Sequence, residues 1–330
     1  MVLLSKKDQK LPIIDDHDNQ KSMGMFAAIS YMLCAVLLIM FNKAAVSSYK
    51  FPYVNVITLL QLICSCFFLY VMRHRKIISF TNDGSLRTTD NPITLVPLKK
   101  LVQTLPLAVS YLLFMLVSME SVRGISVPMY TTLRRTTVAC TMVVEYLVAG
   151  EKYSLHVVAS VAIIILGAFV AGARDLSFDF YSYGVVLVSN LCTAIYLTSI
   201  ARLGQSSGLN TFGLMWCNGI ICGPILLLWT YIQGDLQMLI SFPYLSSPGF
   251  QAVMLLSCVM AFFLNYTVFW NTALNSALTQ TICGNLKDVF TIGIGWLLFG
   301  GLPFDLFNIL GQGLGFIGSC MYAYCKLKGK

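Results

Sequence analysis

The sequence predicts an all-α polytopic membrane protein: ten transmembrane helices forming two inverted five-helix repeats, with both termini cytosolic. Three observations carry this expectation. Hydrophobic residues make up 57% of the 330 and charged residues only 11%, too few charges to clothe a soluble core of that size. Long uncharged stretches recur ten times, each near the ~20 residues needed to cross an apolar layer ~30 Å thick. Lysine and arginine divide fifteen to three when successive connections are assigned to opposite faces, and the richer face marks the cytosol.

Segment 1–24 carries Lys6, Lys7, Lys10 and Lys21 without an apolar stretch leading to a small-residue cleavage site, so it reads as a polar cytosolic tail, not a signal peptide. The expected spans follow in order: Met25 to Ser48, Pro52 to Met72, Thr104 to Ser121, Ile125 to Val148 and Leu155 to Ala173. These form the membrane half 25–173. Tyr183 to Ala201, Thr211 to Ile232, Phe250 to Asn271, Ser276 to Gly300 and Phe304 to Cys325 form the second, 181–325, ahead of a basic tail 326–330. Because five is odd, the second half enters the membrane in the opposite sense, as in many transporters. The longest connection, Arg73 to Gln103, holds Asn82-Asp83-Gly84-Ser85 and Asp90-Asn91-Pro92 and reads as an irregular loop. Spans of this length and composition exclude an outer-membrane barrel, whose strands are shorter and alternate.

The net charge of +8 sits on membrane-flanking loops, which argues for topology and against nucleic acid. Eleven cysteines without a CxxC pair and three histidines give no support to zinc or haem ligation, and no cofactor is expected. The cysteines, Cys64-Ser65-Cys66 included, read as packing residues.

The informative side chains are those that lipid disfavours. Lys43, Arg134, Arg135 and Lys287 lie inside or at the edge of apolar spans, where a cation costs ~2.5 to 3.5 kcal/mol at a helix centre. Asp288 is adjacent to Lys287 but projects ~100° away around a helix, so the two are expected to pair poorly. Glu145 lies ten residues beyond Arg135, ~15 Å along the axis, out of reach within one helix. Positive charge is therefore left over. Arg134 is eight residues into the fourth span from Ser126, ~12 Å, and Lys287 is eleven residues into the ninth from Ser276, ~16 Å. Both depths fall near the midplane, on helices that the expected repeat relates to one another. A phosphate compound suits such a site, because it complements several cations and arginine can grip it with two parallel N–H bonds.

Other polar residues carry weaker expectations. Lys43, beside Asn42, either snorkels to the lumenal interface or guides substrate, and Asn190 and Asn265 are candidates for the cavity. The small-residue run Gly311-Gln312-Gly313-Leu314-Gly315, with Gly318 and Ser319, is expected to pack helices closely.

Pro128-Met129-Tyr130-Thr131-Thr132-Leu133-Arg134-Arg135, Gly167 to Ala171 followed by Asp175 to Asp179, Ser257 to Met260, and Asn275 to Thr279 with Gly284-Asn285-Leu286-Lys287-Asp288 together resemble the UDP-sugar carriers of the nucleotide-sugar transporter family. The resemblance covers essentially the whole membrane region. It implies ten helices in the drug/metabolite transporter fold, a Golgi or endoplasmic-reticulum membrane, and exchange of a cytosolic UDP-sugar for lumenal UMP, with UDP-N-acetylhexosamine the leading cargo. The GALNK motif of GDP-mannose carriers, which binds sugar and phosphate, is similar to Gly284 to Asp288, with its basic residue one place earlier. The FYNN motif that reads guanine is similar to Trp216-Cys217-Asn218-Gly219. Gly219 replaces the second asparagine, which argues against guanine and leaves Asn218 and Trp216 for uracil by amide hydrogen bonding and stacking. An ordinary structural tryptophan remains the alternative for Trp216. Tyr130, Gly284, Asn285 and Asp288 join the substrate contacts by the same resemblance.

The tail Lys326-Leu327-Lys328-Gly329-Lys330 reads as a KxKxx retrieval signal for coat proteins, although basic tails also follow from the positive-inside rule. Expected partners are thus UDP-sugar, UMP, membrane lipid and coat protein, with a homodimer left open. An exchanger of smaller phosphorylated metabolites is the alternative function, and an intramembrane transferase a remote one, since no acid/base pair or metal constellation supports catalysis.

Overall fold

The structure, a computed structural model, describes residues 13–49, 51, 53–81, 95–121, 127–172, 180–240, 242–299 and 306–328. Among the described residues the regular structure is helical, apart from one isolated antiparallel bridge between Thr81 and Leu209. The helices are α1 (Ile13–Ser48), α2 (Val54–His74), α3 (Leu98–Gln103), α4 (Leu105–Ser121), α5 (Val127–Arg134), α6 (Thr137–Ala149) and α7 (Leu155–Gly172). They continue with α8 (Phe180–Ser206), α9 (Thr211–Ile232), α10 (Asp235–Ile240), α11 (Pro248–Leu274), α12 (Ala277–Phe299) and α13 (Leu306–Leu327). Among the described residues, five segments are by length and composition able to cross a membrane: Ser22–Ala45, Asn55–His74, Phe180–Ser206, Thr211–Ile232 and Pro248–Leu274.

Each expected span coincides with a helix, and four details differ. The first helix includes Ile13, ahead of Met25, so residues 13–24 of the segment expected as a polar tail are helical. Apolarity decides where a helix enters lipid, whereas backbone hydrogen bonding decides where it begins. The connection Arg73 to Gln103 is not irregular throughout: α3 lies within it, and Phe80 is buried. Asn210 donates from its backbone N to Phe80 O at 3.1 Å and from Nδ2 to Ser79 O at 2.5 Å. The stretch 82–94 lies outside the described residues, as do Arg123 and Arg174. The short helix α10 was not expected; Asn55 Nδ2 donates to Asp235 Oδ2 at 2.8 Å and fastens it to α2.

The fourth difference matters most for the site. The fourth span is broken at Arg135-Thr136, between α5 and α6. Thr136 and Thr137 donate their hydroxyls to Leu133 O at 2.7 Å and Arg134 O at 2.5 Å, drawing carbonyls away from the helical ladder. Asn190 Nδ2 completes the brace from α8, donating to Leu133 O at 2.9 Å and Thr136 Oγ1 at 3.0 Å. In lipid such freed backbone groups need partners, and the hydroxyls and Asn190 provide them.

Helix pairing follows a pattern. In the order of the ten expected spans, α1, α2, α4, α5/α6 and α7 correspond to the first five, and α8, α9, α11, α12 and α13 to the second five. Advancing by five positions turns the α1–α11 pair into α8–α4, the α6–α8 pair into α12–α1, and the α2–α11 pair into α9–α4, and all of these are in contact. The pairs α7–α13, α2–α9 and α6–α12 map onto themselves.

The small-residue run acts as expected, along α7 and α13. A Cβ added at Gly167 would meet Gly311 O at 2.7 Å and Gly315 N at 2.8 Å, and one at Gly318 would meet Ser160 O at 2.8 Å. Backbone therefore lies directly against backbone, the close approach that small residues permit between helices in lipid.

Candidate functional site

A cavity of about 500 Å³ lies between the two sets of helices, lined from α1, α2, α4, α5, α6, α8, α11 and α12. That volume falls in the usual range for small-molecule pockets, ~300 to 1,000 Å³. The break after α5 delivers Arg134 to its wall. The guanidinium rests on neutral groups: Nη1 donates to Ser118 Oγ and Ser189 Oγ, both at 3.4 Å, and Cζ sits 5.8 Å from the Tyr130 ring centroid and 5.9 Å from that of Phe114. Long hydrogen bonds and two ring faces hold the cation in place while leaving donors for an anion.

On another wall, α12 lines the cavity with Gly284, Asn285, Lys287 and Asp288. Asn285 Nδ2 reaches Arg135 O at 3.4 Å, which ties α12 to the break in the fourth span. Lys287 and Asp288 form an ion pair at 2.7 Å, contrary to the expectation from their adjacent positions. The ~100° between adjacent residues describes where side chains leave the helix, and a four-carbon stem is long enough to bend the ammonium back once both head groups enter one cavity.

Aromatic residues that sequence reasoning missed form another wall. Phe114 and Tyr196 stack with centroids 5.7 Å apart and planes 3° apart, and Tyr111 leans on Tyr196 at 5.4 Å. Tyr31 and Gln61 also line the cavity. Gln61 Nε2 donates to Asn42 Oδ1 at 3.1 Å and Ser257 Oγ at 2.7 Å, joining α2 to α1 and α11. The available signal was the phenolic hydroxyl: Tyr111 and Tyr196 sit within apolar spans, where a buried O–H needs a polar neighbour.

Of the residues predicted from sequence, the structure gathers Arg134, Tyr130, Asn265, Gly284, Asn285, Lys287 and Asp288 around this cavity. Five others stand elsewhere. Arg135 is 3% exposed and points its Nη1 at Gly311 O, 3.4 Å away in the α7–α13 seam, because successive residues at a break face different neighbours. Asn190 is fully buried as the brace behind the break. Trp216 stacks on Phe80 at 5.5 Å and Tyr70 at 6.5 Å, a packing role beneath the connection after α2. Asn218 is buried along α9, its Oδ1 accepting from the Cys222 thiol at 3.6 Å. Lys43 is exposed near the end of α1. The motif match placed Trp216 and Asn218 correctly in the helix order but could not give the face they present.

Glu145, on α6, proves to connect that helix to α12. Its Oε1 accepts from Ala277 N at 2.7 Å, and its Oε2 accepts from Leu278 N at 3.1 Å and Tyr153 Oη at 2.5 Å. A carboxylate thus caps the buried first amides of α12, the helix that carries Lys287. Nearby, Lys326 Nζ donates to Thr279 Oγ1 at 2.6 Å, while Lys328 is exposed with its Nζ 4.7 Å above the Tyr324 ring. Lys326 is therefore turned into the helix bundle and not displayed as an extended tail residue.

Known proteins match this chain along nearly all its length. UDP-N-acetylglucosamine transporter UGNT1 of Arabidopsis thaliana is 65% identical, the match covering 93% of this chain and 89% of that one. Nucleotide sugar transporter SLC35D2 of Homo sapiens is 29% identical over 93% of this chain and 87% of its own, and GDP-mannose transporter GONST1 of Arabidopsis thaliana is 25% identical over 93% and 90%. A crystal structure of a protein 10% identical in sequence superposes with a TM-score of 0.61 over 94% of this chain and 99% of the other, which shows a shared fold. With these relatives and its apolar helices, the chain is a multi-pass membrane protein. The sequence profile of the Triose-phosphate Transporter family matches residues 21–323, and the chain belongs to that family.

Proposed function

We infer that the protein carries UDP-sugars, with UDP-N-acetylglucosamine or UDP-N-acetylgalactosamine the cargo, from the cytosol across a Golgi or endoplasmic-reticulum membrane in exchange for lumenal UMP. The observation that carries the reading is that Arg134 from one half and Lys287 from the other line a single central cavity, beside a stacked aromatic pair. The cations suit the phosphates, and the Phe114/Tyr196 face suits a base, which Trp216 does not reach. The relative named as a UDP-N-acetylglucosamine transporter supports the cargo.

Ten spans with cytosolic termini, arranged as two inverted repeats, fit both the charge bias and the helix pairs that exchange on advancing by five positions. In this reading the halves rock about the cavity while Arg134 and Lys287 hold the phosphates.

The test is counter-transport by the purified chain in liposomes. Vesicles loaded with UMP take up UDP-N-acetylglucosamine faster than unloaded ones, and Lys287→Ala and Arg134→Ala abolish the stimulation in folded protein. A carrier indifferent to UMP and driven by inorganic phosphate would instead be an exchanger of smaller phosphorylated metabolites.

A further inference from the structure

We propose that Asp288 is an internal counter-anion: it occupies the ammonium of Lys287 while the cavity is empty, and the phosphate of the incoming ligand displaces it. The proposal rests on the phosphate-site reading above and assigns Asp288 a role opposite to a ligand contact.

The geometry of the pair argues for competition in preference to helix bracing. Charged pairs that stabilise a helix stand three or four residues apart, on one face. Lys287 and Asp288 are neighbours, and they meet at 2.7 Å only because both side chains turn into the same cavity. Their side chains remain 17% and 32% exposed, so the pair is accessible to a ligand occupying that space. A carboxylate oxygen and a phosphate oxygen are interchangeable acceptors for an ammonium, which has three donors and no preferred plane. Asp288 shares the lining of this cavity with Arg134 and Tyr31. A dianionic ligand entering there meets one carboxylate among two cations, and that carboxylate both repels it and holds one of the cations it needs.

A consequence for coupling follows from the charge. Without Asp288 the empty cavity would present Arg134 and Lys287 with no internal anion between them, costly where few waters screen them. With Asp288 the empty carrier is closer to neutral and reorients more readily. The residue thereby lowers ligand affinity and loosens the coupling between outward and inward movement.

Equilibrium binding and transport on the full-length chain in liposomes test this. Asp288→Asn is expected to tighten UMP binding by about two- to fivefold, the range of a partly exposed ion pair, and to leave uridine binding unchanged. The ratio of UDP-N-acetylglucosamine uptake in UMP-loaded over unloaded vesicles should rise. Asp288→Glu keeps the anion and should behave as the parent. The gain should vanish when Asp288→Asn is made in a Lys287→Ala background. Loss of structural integrity weakens binding, so the sign separates the two explanations; Asp288→Ser serves if the asparagine variant does not fold. Equal or weaker UMP binding in a folded variant overturns the proposal. If Lys287→Ala weakens UMP binding in that case, the phosphate site stands without the counter-anion; if Lys287→Ala also has no effect, the phosphate site itself fails.

Discussion

Replacing Glu145 by alanine would leave three donors without their acceptor: the backbone N–H groups of Ala277 and Leu278 and the hydroxyl of Tyr153. The carboxylate is 3% exposed, so water does not readily take its place. Hydrogen bonds to a charged group contribute ~1.5 to 3 kcal/mol each, and a buried donor left unmet costs ~1 to 3 kcal/mol. Such terms do not add fully, because the three donors share one carboxylate. A loss of about 3 to 5 kcal/mol is the expected sum. With an unfolding entropy near ~2 cal/mol/K per residue, that lowers the melting midpoint of a chain this long by about 4 to 7 °C. Glu145→Gln keeps one acceptor oxygen and should lose about half as much. The assay is thermal unfolding of purified protein in detergent, with the exposed neighbour Glu151→Ala as control. A midpoint for Glu145→Ala within about 1 °C of the parent would refute the idea that this carboxylate holds the start of α12.

Three further outcomes are expected. Tyr196→Leu removes one ring of the stacked pair and should weaken UMP binding by ~1 to 3 kcal/mol, roughly 5- to 150-fold, while inhibition by inorganic phosphate stays within about twofold. Trp216→Phe should leave the preference for UDP- over GDP- and CMP-sugars unchanged in an uptake panel, since Trp216 stacks on Phe80 and Tyr70 away from the cavity. Gly311→Leu places a side chain where the backbone N of Ala171 stands 2.6 Å from the added Cβ, and it should cost more than about 3 kcal/mol in thermal unfolding, or block folding.

Helix order was legible because apolar stretches announce themselves through composition alone. The break in the fourth span was not, since Leu133-Arg134-Arg135-Thr136-Thr137 contains neither glycine nor proline. Its cause is the paired threonines, whose hydroxyls take the carbonyls of Leu133 and Arg134, a competition that sequence pattern registers weakly. The phosphate candidates Arg134 and Lys287 were legible because a cation in an apolar span has few harmless explanations. Tyr31, Tyr111, Phe114 and Tyr196 were not, since an aromatic residue in such a span is equally at home against lipid. Which face a helix turns inward depends on partners far away in sequence, which is why the sequence leaves Trp216 open between base contact and packing and offers Asn190 as a cavity candidate, while both stand outside the cavity lining.

The contact between α7 and α13 has a bearing on how the protein behaves outside its native membrane. Side chains buried from water owe their cohesion to the surrounding solvent, and that cohesion changes when lipid is exchanged for detergent. Two backbones in direct contact at Gly167, Gly311 and Gly318 owe theirs to dispersion and fit, which no change of amphiphile alters. During extraction this pair should be the last to part, and detergent should first loosen the helices whose contacts are made by side chains around the cavity.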